Sequence, residues 1–207
     1  MTYSKWFALL TTLLLTGCAG MDKSQCLTAD WRTIGFEDGA NGKPETAIAT
    51  YRQECADHGV TPELNAYRQG HRAGSERFCT RANGFNVGKR GASYQNSCMP
   101  DLEADFLPAY RDGKALYDLQ RGLNTARSAV DKQHRLISAL EQDIVVNTEL
   151  LVADGLTREE RVQLLYDIEM LKTELDNAIN QLPALEHDAY LAEQAYIKAE
   201  QRLRDHL

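Results

Sequence analysis

In the C-terminal half of the chain, apolar residues recur every seven positions. One column holds Leu116, Leu123, Val130, Ile137, Ile144 and Leu151, and its companion holds Leu119, Ala126, Gln133, Leu140 and Asn147. Two such columns make a coiled-coil seam, and its polar exceptions, Gln133 and Asn147, are of the kind that fix register at some cost in stability. The pattern stops at "VADGLTREE". Gly155 suits the position just past a helix end, and Thr157 with Glu160 spells a capping box. A second seam follows, with Leu164, Leu171, Ala178, Leu185, Ala192 and Ala199 beside Ile168, Leu175, Leu182, Ala189, Tyr196 and Leu203. Pro183 predicts a kink in it. Two capped helices with matching seams and a short link predict an antiparallel hairpin over 114–207, each arm roughly 60 Å long or more.

The N-terminal half has a different rhythm. "WRTIGFEDGANG" (31–42), "YRQGHRAGSERFC" (67–79), "FNVGKRGASYQNSC" (85–98) and "YRDGKALY" (110–117) each place glycine three or four residues after an aromatic. This weak internal repeat reads as helical. Glycine inside a helix costs up to about 1 kcal/mol, and another backbone packed against it explains its presence. "TPELNAY" predicts a helix start, with Thr61 as cap and Pro62 at the first helical position. His58-Gly59 closes a preceding helix over roughly 44–57. The fold class expected is all-α: a small disulfide-stapled helical domain over 26–113, read as four short helices, followed by a long antiparallel coiled-coil hairpin over 114–207.

The first residues add an address. Trp6 to Leu15 form an apolar run after Lys5, too short to span a bilayer, which needs roughly 20 residues. Leu15-Thr16-Gly17-Cys18 resembles a bacterial lipobox. That resemblance implies a lipoprotein signal peptide over 1–17, with Cys18 acylated as the first mature residue and residues 18–25 as anchor and linker. Ala19 beside it, rather than Asp, implies an outer-membrane lipoprotein facing the periplasm. Acyl chains contribute about 0.8 kcal/mol per buried CH₂.

Four cysteines remain, Cys26, Cys55, Cys79 and Cys98. An even number in an oxidising compartment predicts two disulfides. Their wide spacing lacks the close pairs of a zinc site, and no metal site or cofactor is expected. Four cysteines allow three connectivities, and spacing does not choose among them; pairing of neighbours is preferred. Trp31, Gly35, Asp38 and Gly39, then "CADHGV" (55–60), "YRQGHRAG" and "FNVGKRGASYQNSC", resemble an uncharacterised family of proteobacterial envelope lipoproteins known only by a domain of unknown function. The resemblance covers about residues 18–113. It implies a location and no activity.

Charge narrows the partners. The whole chain is −7, which argues against nucleic acid. Arg68, Arg72, Arg77, Arg81, Lys89 and Arg90 nevertheless fall in one segment, a candidate anion-binding stretch for lipid headgroups, lipopolysaccharide phosphates or peptidoglycan carboxylates. A solvated face, neutralised by acids such as Asp101, Glu103 and Asp105, is the plainer account. Residues 114–207 carry 11 basic and 17 acidic groups, so the hairpin is acidic. No G-x-S-x-G, S-x-x-K or H-E-x-x-H motif occurs, and His71 reads as an exposed helix residue. A non-catalytic scaffold or adaptor is expected, held to the membrane at Cys18 and presenting its acidic hairpin to an envelope protein. The alternative is an anion-binding module using the 68–90 stretch.

Overall fold

A computed structural model describes residues 20–204, and all of their regular structure is helical. The elements are α1 (Lys23–Thr28), α2 (Trp31–Ala40), a 3₁₀ turn (Glu45–Ala47), α3 (Ile48–Ala56), α4 (Leu64–Phe78), α5 (Arg81–Lys89), α6 (Pro100–Leu151) and α7 (Arg158–Arg204). The chain divides into two compact units. Of the described residues, one comprises 20–80 with 94–104; the other comprises 81–93 and 105–204. The composition boundary at Gly113 therefore does not divide the units, because α5 and residues 105–113 of α6 belong with the hairpin, while 100–104 belong to the first unit.

The first unit is organised by the crossing of α2 and α4. Each helix carries glycine four residues apart, Gly35 and Gly39 on one and Gly70 and Gly74 on the other. A Cβ at any of the four would collide with the opposing backbone: Gly35 with the Tyr67 carbonyl, Gly39 with that of His71, Gly70 with that of Arg32 and Gly74 with that of Phe36. The backbones meet because nothing stands between them. Around this crossing Cys26, Trp31, Ile48, Cys55 and Tyr67 form the core. Cys26 bonds Cys55, and Cys79 bonds Cys98. Neighbours pair, the preferred alternative of the three.

The second unit repeats the arrangement with α5 and α6. Gly84 abuts the Phe106 carbonyl, Gly88 that of Tyr110, and Gly113 that of Phe85. Adding 49 to the α2 numbers and 39 to the α4 numbers turns one crossing into the other. Gly35, Gly39 and Gly42 become Gly84, Gly88 and Gly91; Tyr67, Gly70, His71 and Gly74 become Phe106, Ala109, Tyr110 and Gly113. The match extends past the helices. Gly42 lies under the ring of Phe78 and Gly91 under that of Tyr117, its counterpart. Both glycines have positive φ, at 71° and 73°. Each closes its helix with the same pair of bonds: Gly42 N to Gly39 O and Lys43 N to Asp38 O in one, Gly91 N to Gly88 O and Ala92 N to Val87 O in the other. The weak aromatic-glycine repeat is thus a tandem pair of glycine-mediated helix crossings. Each has one cysteine before its first helix and one before its second.

Three local expectations need correction. The helix expected from Lys114 begins at Pro100. Pro108 and Gly113 look like breakers, yet Pro108 sits within the helix and Gly113 receives α5. α4 begins at Leu64, with no side-chain cap from Thr61, and Pro62 is instead buried. The helix expected over 44–57 is a 3₁₀ turn followed by α3. Pro183 lies inside α7.

The hairpin follows its pattern. All residues of both α6 columns and both α7 columns are buried or half-buried. The turn is closed by the capping box, in which Glu160 N donates to Thr157 Oγ1 (3.2 Å) and Thr157 N to Glu160 Oε2 (2.8 Å). Gly155 takes φ 87°. Arg161 adds a clasp, donating to the carbonyls of Leu151 and Ala153. Of the seam's polar exceptions, Gln133 donates across to the Ala178 carbonyl (2.7 Å), while Asn147 bonds back to Asp143 within α6. At 1.5 Å per residue the 52 residues of α6 span roughly 75 Å.

Candidate functional site

The candidate anion-binding residues are distributed over both units and are mostly engaged. In the first unit Arg68 Nε donates to Glu45 (2.7 Å). Arg72 pairs with Asp101 (2.8 Å) and Glu76 (3.6 Å). Arg77 lies over the ring of Phe36. In the second unit Arg81 opens α5, Lys89 closes it with its ammonium over the Phe85 ring, and Arg90 follows, exposed. Arg68 and Arg72 already hold carboxylates of their own chain. Exposed pairs of this kind contribute up to about 1 kcal/mol each.

Sequence reasoning missed a buried polar cluster in the first unit. Asp38 is 3% exposed. Its carboxylate accepts from Tyr67 (2.9 Å) and Tyr51 (2.9 and 3.2 Å) and pairs with Lys43 (2.8 Å). Burial, then the bond to Asp38, pushes the Tyr67 hydroxyl far above its ordinary range. Burial likewise raises Tyr51, while the bond to Asp38 raises Lys43. Beside it His71 is 1% exposed, which corrects its reading as a surface residue. Its Nε2 bonds the Lys43 carbonyl (2.8 Å) and its Nδ1 meets Ser75 Oγ (3.3 Å). The carbonyl requires a donor, so Nε2 carries the proton and Nδ1 accepts from the serine. This buried serine–histidine pair ties α4 to the backbone that follows α2. The signal was the i,i+4 spacing of His71 and Ser75 on the glycine-bearing face.

Among the described residues, no group of three or more His, Cys, Asp or Glu side chains is placed to hold a metal ion. No described helix is long and apolar enough to cross a membrane. Cys18, the signal peptide over 1–17 and His206 lie outside the described residues.

The hairpin offers the other candidate surface. Arg127 pairs with Glu193 (2.6 Å), and His134 Nε2 lies 3.9 Å from Glu186. These pairs mark one flank of the seam and show that it is polar mid-arm. Toward the turn that flank changes character. Leu165 and Ile179 occupy the heptad column of Glu186 and Glu193 and are 51% and 45% exposed.

Residues 30–115 match a family described as a protein of unknown function (DUF2799). The chain therefore carries that domain. The match takes in both glycine crossings and ends at the base of the hairpin. No curated protein and no solved structure matches the chain.

Proposed function

We propose that the chain is a non-catalytic, lipid-anchored envelope protein of the outer membrane, facing the periplasm, that presents its acidic hairpin to a protein partner. The observation that carries this reading is the hairpin's length. Arms of about 50 residues extend far beyond what the α5–α6 crossing needs for its core, which takes Ala199 and Leu203 from α7 with Tyr196 packed against them. A long helical pair whose outer surface stays exposed suits recognition better than enclosure of a small substrate.

The anchor reading draws on Cys18 and on the start of the fold. Met21 N already donates to Glu54 of α3 (3.1 Å). With only Ala19 and Gly20 between the lipidated cysteine and Met21, unit one would sit within roughly 10 Å of the bilayer surface. The anion-binding alternative draws less support, because Arg68 and Arg72 are paired within the chain.

The test is an arm-shortened variant. Replacing 130–185 by the turn residues 152–157 takes matched levels from both helices, keeps a link between them and spares the Phe85, Leu116, Ala199 and Leu203 core. In intact envelopes, cross-linked partners should be recovered with the full chain and lost with the short one. Equal recovery from both would reject the scaffold reading. Separately, Cys18→Ser should abolish incorporation of labelled palmitate and release the protein from the membrane fraction.

A further inference from the structure

Beyond the seam, the end of the hairpin differs from the rest of it in two ways at once. Of the fourteen large apolar side chains that stand exposed among the described residues, eight fall between 141 and 172. In the same stretch eight acidic side chains stand against three basic ones, a net −5, while the remainder of 114–207 nets −1. Two of those bases are already committed. Arg161 clasps the carbonyls of Leu151 and Ala153, and Lys172 pairs with Glu169 (2.8 Å).

The apolar side chains are also gathered. Leu165 lies on the flank marked by Arg127–Glu193, and Val162 stands one turn before it. Tyr166 extends the same face four residues after Val162. From the other arm, Val145 and Val152 lie four residues beyond Glu141 and Thr148, which continue the heptad column of Arg127 and His134. They are substantially exposed, Val152 at 76%, Tyr166 at 61% and Val162 at 60%. Large apolar residues left exposed to water beside a closed turn are an interaction signature. None of these five belongs to a seam column, so hairpin stability does not account for them.

We propose that this flank, built by Val145, Val152, Val162, Leu165 and Tyr166, docks a basic amphipathic helix of a partner protein. This deepens the scaffold reading and rests on it. An elongated apolar strip along two antiparallel helices accepts a third helix through spaced apolar anchors. The acidic surroundings select the partner's charge. A second copy would bring another −5 against the first, and like-charge juxtaposition costs several kcal/mol. An anionic bilayer repels the strip for the same reason. A helix with Lys and Arg flanking its apolar face meets complementary potential and gains speed of encounter as well as affinity.

The experiment places a photo-reactive phenylalanine analogue at Tyr166 or Val162 of the full-length protein in cells, with a third probe at the mid-arm Tyr190. Cross-linked segments are then mapped by mass spectrometry. Expected is a tip-specific adduct to a segment of another protein that reads as an amphipathic helix of net positive charge. Its yield should fall at least fivefold when Leu165→Asp is added to the Tyr166 probe, with the thermal midpoint unchanged. Adducts only to a second copy, only to lipid, or to an acidic or neutral segment overturn the proposal, as does a yield indifferent to Leu165→Asp. A protein adduct from Tyr190 alone rejects the tip while leaving the scaffold reading standing. No protein adduct from any of the three probes rejects both.

Discussion

Gly35 lies so close to Tyr67 that a Cβ on the glycine would collide with the tyrosine's carbonyl oxygen, and Gly84 stands in the same relation to Phe106. The two crossings share more than glycine. The His71 ring bonds the Lys43 carbonyl, and its counterpart Tyr110 donates through its hydroxyl to the Ala92 carbonyl (3.0 Å). Different side chains thus tie the same backbone position to the second helix of each pair.

Substituting the contact glycines should be costly and substituting a free one helpful. Gly35→Ala and Gly88→Ala each force two backbones apart, an overpacking effect of about 1–3 kcal/mol or more. Gly122 lies in α6 with open space where its Cβ would go. Gly122→Ala should stabilise by about 0.5–1 kcal/mol, because alanine is the better helix former. Urea unfolding of the three variants checks both signs.

The second crossing places Val87 where the first has Asp38. Asp38→Val therefore fits the backbone, yet it strands the Tyr67 hydroxyl, which is fully buried. The expected loss is about 2–4 kcal/mol from unsatisfied donors. Adding Tyr67→Phe should recover part of that loss, and a double-mutant cycle should show coupling of about 1 kcal/mol or more between the positions. Additive losses would mean that the carboxylate stabilises by other contacts.

Alkali should unfold the first unit through the same tyrosine. Tyr67 keeps its proton in the folded state well above the value of about 10 at which an unfolded tyrosine loses it. Above that pH the unfolded chain binds fewer protons, so stability, complete below pH 10, falls as pH rises further. Lys43, also raised, acts in the same direction. The urea midpoint should stay level from pH 8 to about 9.5 and drop beyond 10. Tyr67→Phe should flatten that drop, and tyrosinate absorbance should report Tyr67 only on unfolding.

Gln133 reaches the Ala178 carbonyl from inside an otherwise apolar seam. Gln133→Leu should raise hairpin stability by about 1 kcal/mol and relax its register, the usual exchange at a buried polar seam position. Thermal unfolding measures the gain. Disulfide trapping of cysteine pairs placed one turn apart across the seam measures the slippage.

The hairpin was legible because its determinants are local. Heptad columns, the Gly155 stop and the Thr157–Glu160 box all lie within a few turns of what they control, and the side-chain period alone decides which face is buried. The exposed apolar residues near the turn could be seen only as letters outside the columns. Which flank they share followed from the Arg127–Glu193 and His134–Glu186 pairs.

By itself, the sequence determined that the chain is helical, where the seam runs and how the long arms turn. It also showed that glycine and aromatics repeat, and that the cysteines are even in number. Only the tertiary structure decided which glycine faces which carbonyl, that Cys26 joins Cys55 and Cys79 joins Cys98, and that Asp38 and His71 are buried. It also decided that α5 and residues 105–113 of α6 belong with the hairpin. The reason is the range of the forces. A helix's period and caps act over about four residues, whereas a glycine's purpose resides in a backbone some 20–40 positions away. Neither residue shows that purpose until the chain has brought the two together.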